Sequence, residues 1–360
     1  MGIPFSWQDF RLDFEERCLI FSRFLHQRLL HRGFDFEKQF RGAGFWDELS
    51  ELDSTLSDIM GNEGFSSGWF IAPGVPRIRP ILIYLSSEVA RAELVDELVD
   101  EKSDVNGSRL RHLALATELF YGAILIHDLT LGKQGGRRRR LARRILGKAL
   151  EWYGGNKLLT RALELVMMTK SSDVMSEFVM AMREVQEAQE DTKIWERELP
   201  SEDDMIAYAE NYTGAMFSFA CRSGGLISGA SRREVNLLGR YGRQLGVAWQ
   251  LTEELSALDS SFEIARQSLE EQISTKRPFY PLIRAAEESE EVRRLWKYLL
   301  DEEDEDALIN LVHQIQSSPA IPQTRQKIGE YSWTARRIAR DLPQSQHRNH
   351  LEYLAQALAK

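Results

Sequence analysis

The sequence predicts an all-α protein with about ten or more helices, and three observations carry that reading. Apolar residues recur at three- and four-residue steps over long stretches, as one face of a helix requires. No pair of alternating, strand-like segments joined by a hairpin signal occurs. The ten prolines gather at a few places, and each place reads as a break between helical regions.

In chain order, the first break falls at Pro73, Pro76 and Pro80. A helix is then expected from Arg109 to Asp128, where Leu110, Leu113, Ala116, Leu119, Phe120, Ala123, Ile124 and His127 fall on helical spacing. A second runs from Val235 to Leu258 through Leu238, Tyr241, Leu245, Ala248, Trp249, Thr252 and Leu255. Several helices are apolar on most faces and are therefore central. Further breaks are expected at Pro278 with Pro281 and at Pro319 with Pro322. No repeat of solenoid length, roughly 30–45 residues, is visible. Two charge runs stand out: Arg137 to Arg140 with Arg143 and Arg144, after Gly135 and Gly136, and the acidic stretch Asp301 to Asp306. The acidic stretch reads as solvated surface.

Composition narrows the function classes. The 360 residues hold 46 Lys+Arg against 55 Asp+Glu, a net charge of −9, so the chain as a whole is a poor match for nucleic acid. With 43% apolar and 28% charged residues it has enough apolar surface to offset chain entropy. Its length allows one large domain or two. Two cysteines, Cys18 and Cys221, build neither a disulfide framework nor a four-thiolate zinc site. A reducing cytoplasm is the simplest compartment. No apolar run approaches the ~20 residues of a transmembrane helix. No secretory signal opens the chain, and the fit of Met1, Gly2 and Ser6 to the loose myristoylation pattern reads as chance. Phosphate-binding P-loop, dinucleotide fingerprint, Gly-x-Ser-x-Gly elbow and His-Glu-x-x-His spacing are all absent. His127, at the end of a buried-looking helix, reads as a core histidine.

Five segments carry more information together than singly. They are Gly74-Val75-Pro76-Arg77-Ile78-Arg79-Pro80, the helix from Glu118 to Asp128, Tyr212-Thr213-Gly214-Ala215-Met216-Phe217, the stretch from Tyr241 to Gln250, and Lys276-Arg277-Pro278-Phe279-Tyr280-Pro281. In order and spacing they resemble the trans-prenyl diphosphate synthases, the polyprenyl synthetase family, over roughly residues 40 to 350. The resemblance implies a single large helical bundle of the isoprenoid synthase type with a deep central cavity, formed by residues 41–360 after an N-terminal helical segment of residues 1–40. It also implies dimers built on central helices. The family joins isopentenyl diphosphate to an allylic diphosphate, whose ionisation is assisted by Mg2+ held between two facing Asp-Asp-x-x-Asp clusters.

Most of that chemistry is missing here. The first cluster is matched by Asp128-Leu129-Thr130-Leu131-Gly132 and keeps one carboxylate of three. The second is matched by Glu253-Glu254-Leu255-Ser256-Ala257 and keeps two, each a methylene longer. Magnesium demands near-octahedral oxygen ligands and tolerates such shifts poorly. Asp128, Glu253 and Glu254 are what remains of the metal ligands. The family's lysines are Pro76 and Tyr212 here, and its expected histidine is Tyr121. At Tyr121 and Tyr212 a neutral hydroxyl replaces a charge-assisted bond of roughly twice the strength. The diphosphate-binding candidates left are Arg77, Arg79, Arg139, Arg140, Gln250, Lys276 and Arg277. Gln250 also reads as a tie between two helices, and the arginine run as a site for a partner's acidic surface or equally as a solvated loop. Phe120, Tyr121, Ile124, Leu125, Tyr212 and Trp249 are cavity-lining candidates.

The leading expectation is therefore a non-catalytic, regulatory or structural subunit that pairs with an active prenyl synthase paralogue as a homo- or hetero-oligomer. A second is an enzyme of altered chemistry, using Mg2+ for prenyl transfer to isopentenyl diphosphate or another acceptor, or for terpene cyclisation. A third is a protein that binds a prenyl diphosphate or other isoprenoid chain without turnover. No nucleic-acid partner and no transmembrane segment are expected.

Overall fold

A computed structural model describes residues 45–62, 77–92, 99–131, 154–195 and 198–359. The described residues are helical with no strand among them. The chain divides into two compact units, Met1–Ile78 and Arg79–Lys360. In the first, α1 (Trp46–Asn62) buries Leu49, Leu52 and Leu56, which fall on one face by their three- and four-residue spacing.

The second unit contains nearly all of α2 (Ile78–Arg91) and then α3 (Val99–Leu131), α4 (Asn156–Met168), α5 (Ser172–Trp195), α6 (Glu202–Ala209), α7 (Ala215–Ile227) and α8 (Arg232–Leu258). It continues with α9 (Phe262–Thr275), α10 (Tyr280–Glu288), α11 (Glu290–Leu299), α12 (Glu305–Ser317), α13 (Ala320–Arg340) and α14 (Gln346–Leu358). The prolines mark helix starts: Pro80, Pro281 and Pro322 sit in the first turns of α2, α10 and α13, where no intrahelical N–H is needed. α3 begins ten residues before Arg109, because the preceding polar stretch is helical without an apolar stripe to announce it.

Helix starts are also set by side chains. Ser231 and Glu234 form a reciprocal capping box at α8, and Ser201 and Asp204 form another at α6. Asp304 caps α12 by accepting from the Ala307 N–H at 3.0 Å, so part of the acidic run has a structural role that solvated surface did not anticipate.

α8 is the central element and packs on α7 and α13. Most of its residues are buried, as its apolar spread implies. Gly242 and Gly246, one turn apart, permit the approach. A methyl on Gly242 would collide with the Phe217 carbonyl, and one on Gly246 would lie 2.7 Å from the Cα of Gly214. Tyr241 Oη donates to the Leu351 carbonyl at 2.8 Å and ties α8 to α14. Phe178 of α5 meets Phe120 of α3 at 5.1 Å and Phe219 of α7 at 5.3 Å between ring centres, which knits three helices together. Between α6 and α7, Glu210–Gly214 winds as a single π-helical turn, a feature that often re-aims side chains at functional positions.

Candidate functional site

Residues from α2, α3, α8, the π turn and the start of α10 converge. Arg79 is 8% exposed, and its Nε donates to Glu118 Oε1 at 2.9 Å. Its guanidinium lies 3.7 Å from the centre of the Tyr121 ring. Glu118 is fully buried, so the pair compensates a charge that would otherwise be costly inside the protein. Helical spacing fixes the next contacts. Trp249 Nε1 donates to Glu253 Oε1 at 3.0 Å, and Gln250 Nε2 donates to Glu254 Oε1 at 3.0 Å, both one turn along α8. The π turn supplies Thr213, whose hydroxyl donates to Gln250 Oε1 at 2.8 Å. The Tyr280 N–H, at the start of α10, donates to Glu254 Oε2 at 2.8 Å. Three hydrogen bonds thus run in line from the π turn through α8 to α10.

Burial dominates the acidity of both glutamates. It raises the Glu253 carboxyl to about 7, against the Trp249 bond and the Arg79 charge and with the help of neighbouring Glu254. It raises Glu254 to about 7 against the bonds from the Tyr280 N–H and Gln250. Each carboxyl is therefore partly protonated near neutral pH.

This donor set does not fit a magnesium cluster. Both Glu254 oxygens already accept N–H bonds and one Glu253 oxygen accepts the indole, and a hard cation would have to share these oxygens with those donors. Among the described residues no group of three or more His, Cys, Asp or Glu is arranged to hold a metal. The Asp128 side chain lies outside the described residues.

The other candidates are placed as follows. Arg77, in the first unit, donates to Asp53 at 2.8 Å. Tyr212 is nearly buried and stacks on Tyr208 at 5.1 Å, and Trp249 tilts against Phe217 at 5.9 Å. Phe120 and Ile124 are buried, and Leu125 is half-buried. Lys276 ends α9 in the left-handed conformation, φ 55°. Its N–H bonds the Ile273 carbonyl while that of Arg277 bonds Gln272, a Schellman closure. Arg139 and Arg140 lie outside the described residues.

Sequence reasoning missed a polar knot beside the site. Glu202, at the start of α6, accepts from Tyr280 Oη, Lys327 Nζ and Arg284 Nη1, each at 2.7 Å. Burial works to raise its carboxyl, but the bonds from Lys327 and Tyr280 and the Arg284 charge hold it below the ordinary value. The four-residue spacing of Trp249 with Glu253 and Gln250 with Glu254 was a usable signal for the inner bonds. The partners of Glu202 are distant in sequence and carry none.

The family model described as polyprenyl synthetase matches residues 69–315. The chain belongs to that family. It is 26% identical over 289 residues to a decaprenyl-diphosphate synthase of Dictyostelium discoideum, covering 79% of this chain and 59% of that protein. It is 27% identical over 235 residues to a (2E,6E)-farnesyl diphosphate synthase of Mycobacterium tuberculosis, covering 62% and 61%. The chain thus spans about 60% of the length of these curated relatives. Solved polyprenyl synthetase structures share the all-α fold. Heptaprenyl diphosphate synthase from Staphylococcus aureus matches with TM-score 0.70 at 17% identity, over 87% of this chain and 97% of that one. A polyprenyl synthase from Caulobacter crescentus, complexed with calcium and isoprenyl diphosphate, matches with TM-score 0.72 at 21% identity, over 91% and 98%. Among the described residues no helix is long and apolar enough to cross a membrane.

Proposed function

We propose that this polyprenyl synthetase is a non-catalytic subunit that associates with an active synthase of the same host. One observation carries the reading: three of the groups that would hold metal and diphosphate, Glu253, Glu254 and Arg79, are committed to internal bonds. Glu254 ties α8 to α10, Glu253 accepts the Trp249 indole, and Arg79 is engaged by Glu118 beneath the Tyr121 ring. Candidate contacts for the partner are Met167 and Met168 on α4 and Val179, Met180 and Ile194 on α5, each 47–68% exposed. The active mate supplies the metal chemistry, and this subunit supports its helices and bears on product length.

The experiment is coexpression with the host's active synthase, followed by size-exclusion chromatography and a turnover assay with Mg2+, isopentenyl diphosphate and allylic diphosphates. The expected result is a mixed complex, no elongation by this chain alone, and loss of the complex on Met180→Lys. Elongated product from this chain alone would overturn the proposal, as would the absence of any mixed complex.

A further inference from the structure

A second polar cleft lies about 15 Å farther down α8, since Gln244 precedes Glu254 by ten residues at 1.5 Å each. It has a volume of about 270 Å³ and is bounded by α7, α8 and α13. That is just below the usual size of a small-molecule pocket, which suits a ligand of few atoms. Its lining is rich in donors: Ser218 and Arg222 from α7, and Arg240, Arg243 and Gln244 from α8.

Two of the arginines are fixed in place. Arg222 Nε lies 2.7 Å from the Glu177 carboxylate, and its Nη1 donates to Asn236 at 3.2 Å. Arg243 Nη2 meets Glu184 at 2.6 Å, and its Nη1 donates to the Glu210 carbonyl at 3.0 Å. Gly239 makes room for the first of these. A methyl there would lie 2.7 Å from the Cγ and Cδ atoms of Arg222 and would force that side chain to shift. The remaining donors are unused. Arg240 is exposed, Ser218 is 7% exposed, and neither they nor Gln244 has a hydrogen-bond or ion-pair partner among the described residues. With Glu177 and Glu184 offsetting Arg222 and Arg243, the cleft keeps one positive charge, on Arg240. A buried hydroxyl, an amide and a forked cation facing one small space are complementary to the several acceptor oxygens of an oxyanion.

We propose that this cleft is a phosphate-binding site. Arg240, Gln244 and Ser218 donate to the phosphoryl oxygens, and Arg222 and Arg243 form its charged walls. The ligand is inorganic phosphate or the phosphate of a small monoester, and the site is independent of the carboxylates at the other end of α8.

The test is calorimetric titration of the full chain with inorganic phosphate and, separately, with glycerol phosphate. Both are repeated on the double variant Arg240→Ala/Gln244→Ala and on Gly239→Ala. Saturable millimolar binding by the wild type, weakened at least about tenfold in the double variant at unchanged melting temperature, is the expected result, with Gly239→Ala weakened as well. Tighter binding of the monoester assigns the site to an organic phosphate, and equal or weaker binding assigns it to the free ion; both support the site. Binding within about twofold of wild type in the double variant overturns the proposal. So does binding that survives there but is lost in Lys276→Ala, which would place the anion at the other end of the molecule. Absence of saturable binding by the wild type overturns it too.

Discussion

Replacing Glu254 by glutamine isolates the energetic role of the buried carboxyls. The wild-type group is moved from 4.5 to about 7 by burial. A raised carboxyl pKa means that the native state holds a proton which the unfolded chain has released, so stability is full below about pH 4.5 and declines as pH rises through about 7. The shift corresponds to about 3 kcal/mol between the two limits. Water on the open side of this half-buried group lowers the working figure to about 1–3 kcal/mol. Glutamine cannot ionise, but it offers one acceptor where two N–H donors, from Gln250 and Tyr280, now converge. Its NH2 must oppose one of them at a cost of about 1–3 kcal/mol. Glu254→Gln is therefore expected to destabilise at pH 5 and to approach or exceed wild-type stability at pH 8. Glu253 continues to titrate, so part of the pH dependence remains in the variant. Urea unfolding followed by circular dichroism at pH 5, 6, 7 and 8 measures this. A difference between variant and wild type that stays constant across the range would refute the argument.

Three further substitutions test the packing. Gly242→Ala drives a methyl into the Phe217 carbonyl and is expected to cost about 1–3 kcal/mol by denaturant unfolding. Phe178→Ala empties the junction of α3, α5 and α7 and should cost about 3–5 kcal/mol, which the same measurement checks. Lys276→Gly relieves the left-handed backbone at the end of α9 and should raise stability by about 0.5–1 kcal/mol, read as an increase in melting temperature.

The helices were legible because their apolar residues keep step with the helical period. The spans expected at Arg109–Asp128 and Val235–Leu258 lie within α3 and α8, and Pro80, Pro281 and Pro322 fall at helix starts, while Pro73 and Pro76 lie outside the described residues. The additional length of α3 was not legible, because a polar helix has no stripe. Asp304 was read as part of a solvated run although its position before an apolar pattern is that of a cap. Within the site, sequence identified Arg79, Gln250, Glu253 and Glu254 as residues of interest but not their partners. Glu118 is 39 positions from Arg79 and Thr213 is 37 from Gln250, and no local rule connects them. The π turn was invisible as well, since Glu210–Gly214 carries an ordinary helical pattern and no local signal announces the extra residue.

Tyr280 is held at both ends. Its amide is bonded to Glu254 on α8, while its hydroxyl is bonded to Glu202 on α6. A residue clasped in this way has no easy partial opening, because freeing the backbone pulls on the ring and freeing the ring pulls on the backbone. The Tyr280 amide should therefore exchange its hydrogen only in larger cooperative openings of this region, not by the end-fraying usual at the first turn of a short helix. The start of α10 then behaves as a rivet joining α6 and α8, and the segment from Lys276 to Phe279 that leads into it is restrained at its far end in solution.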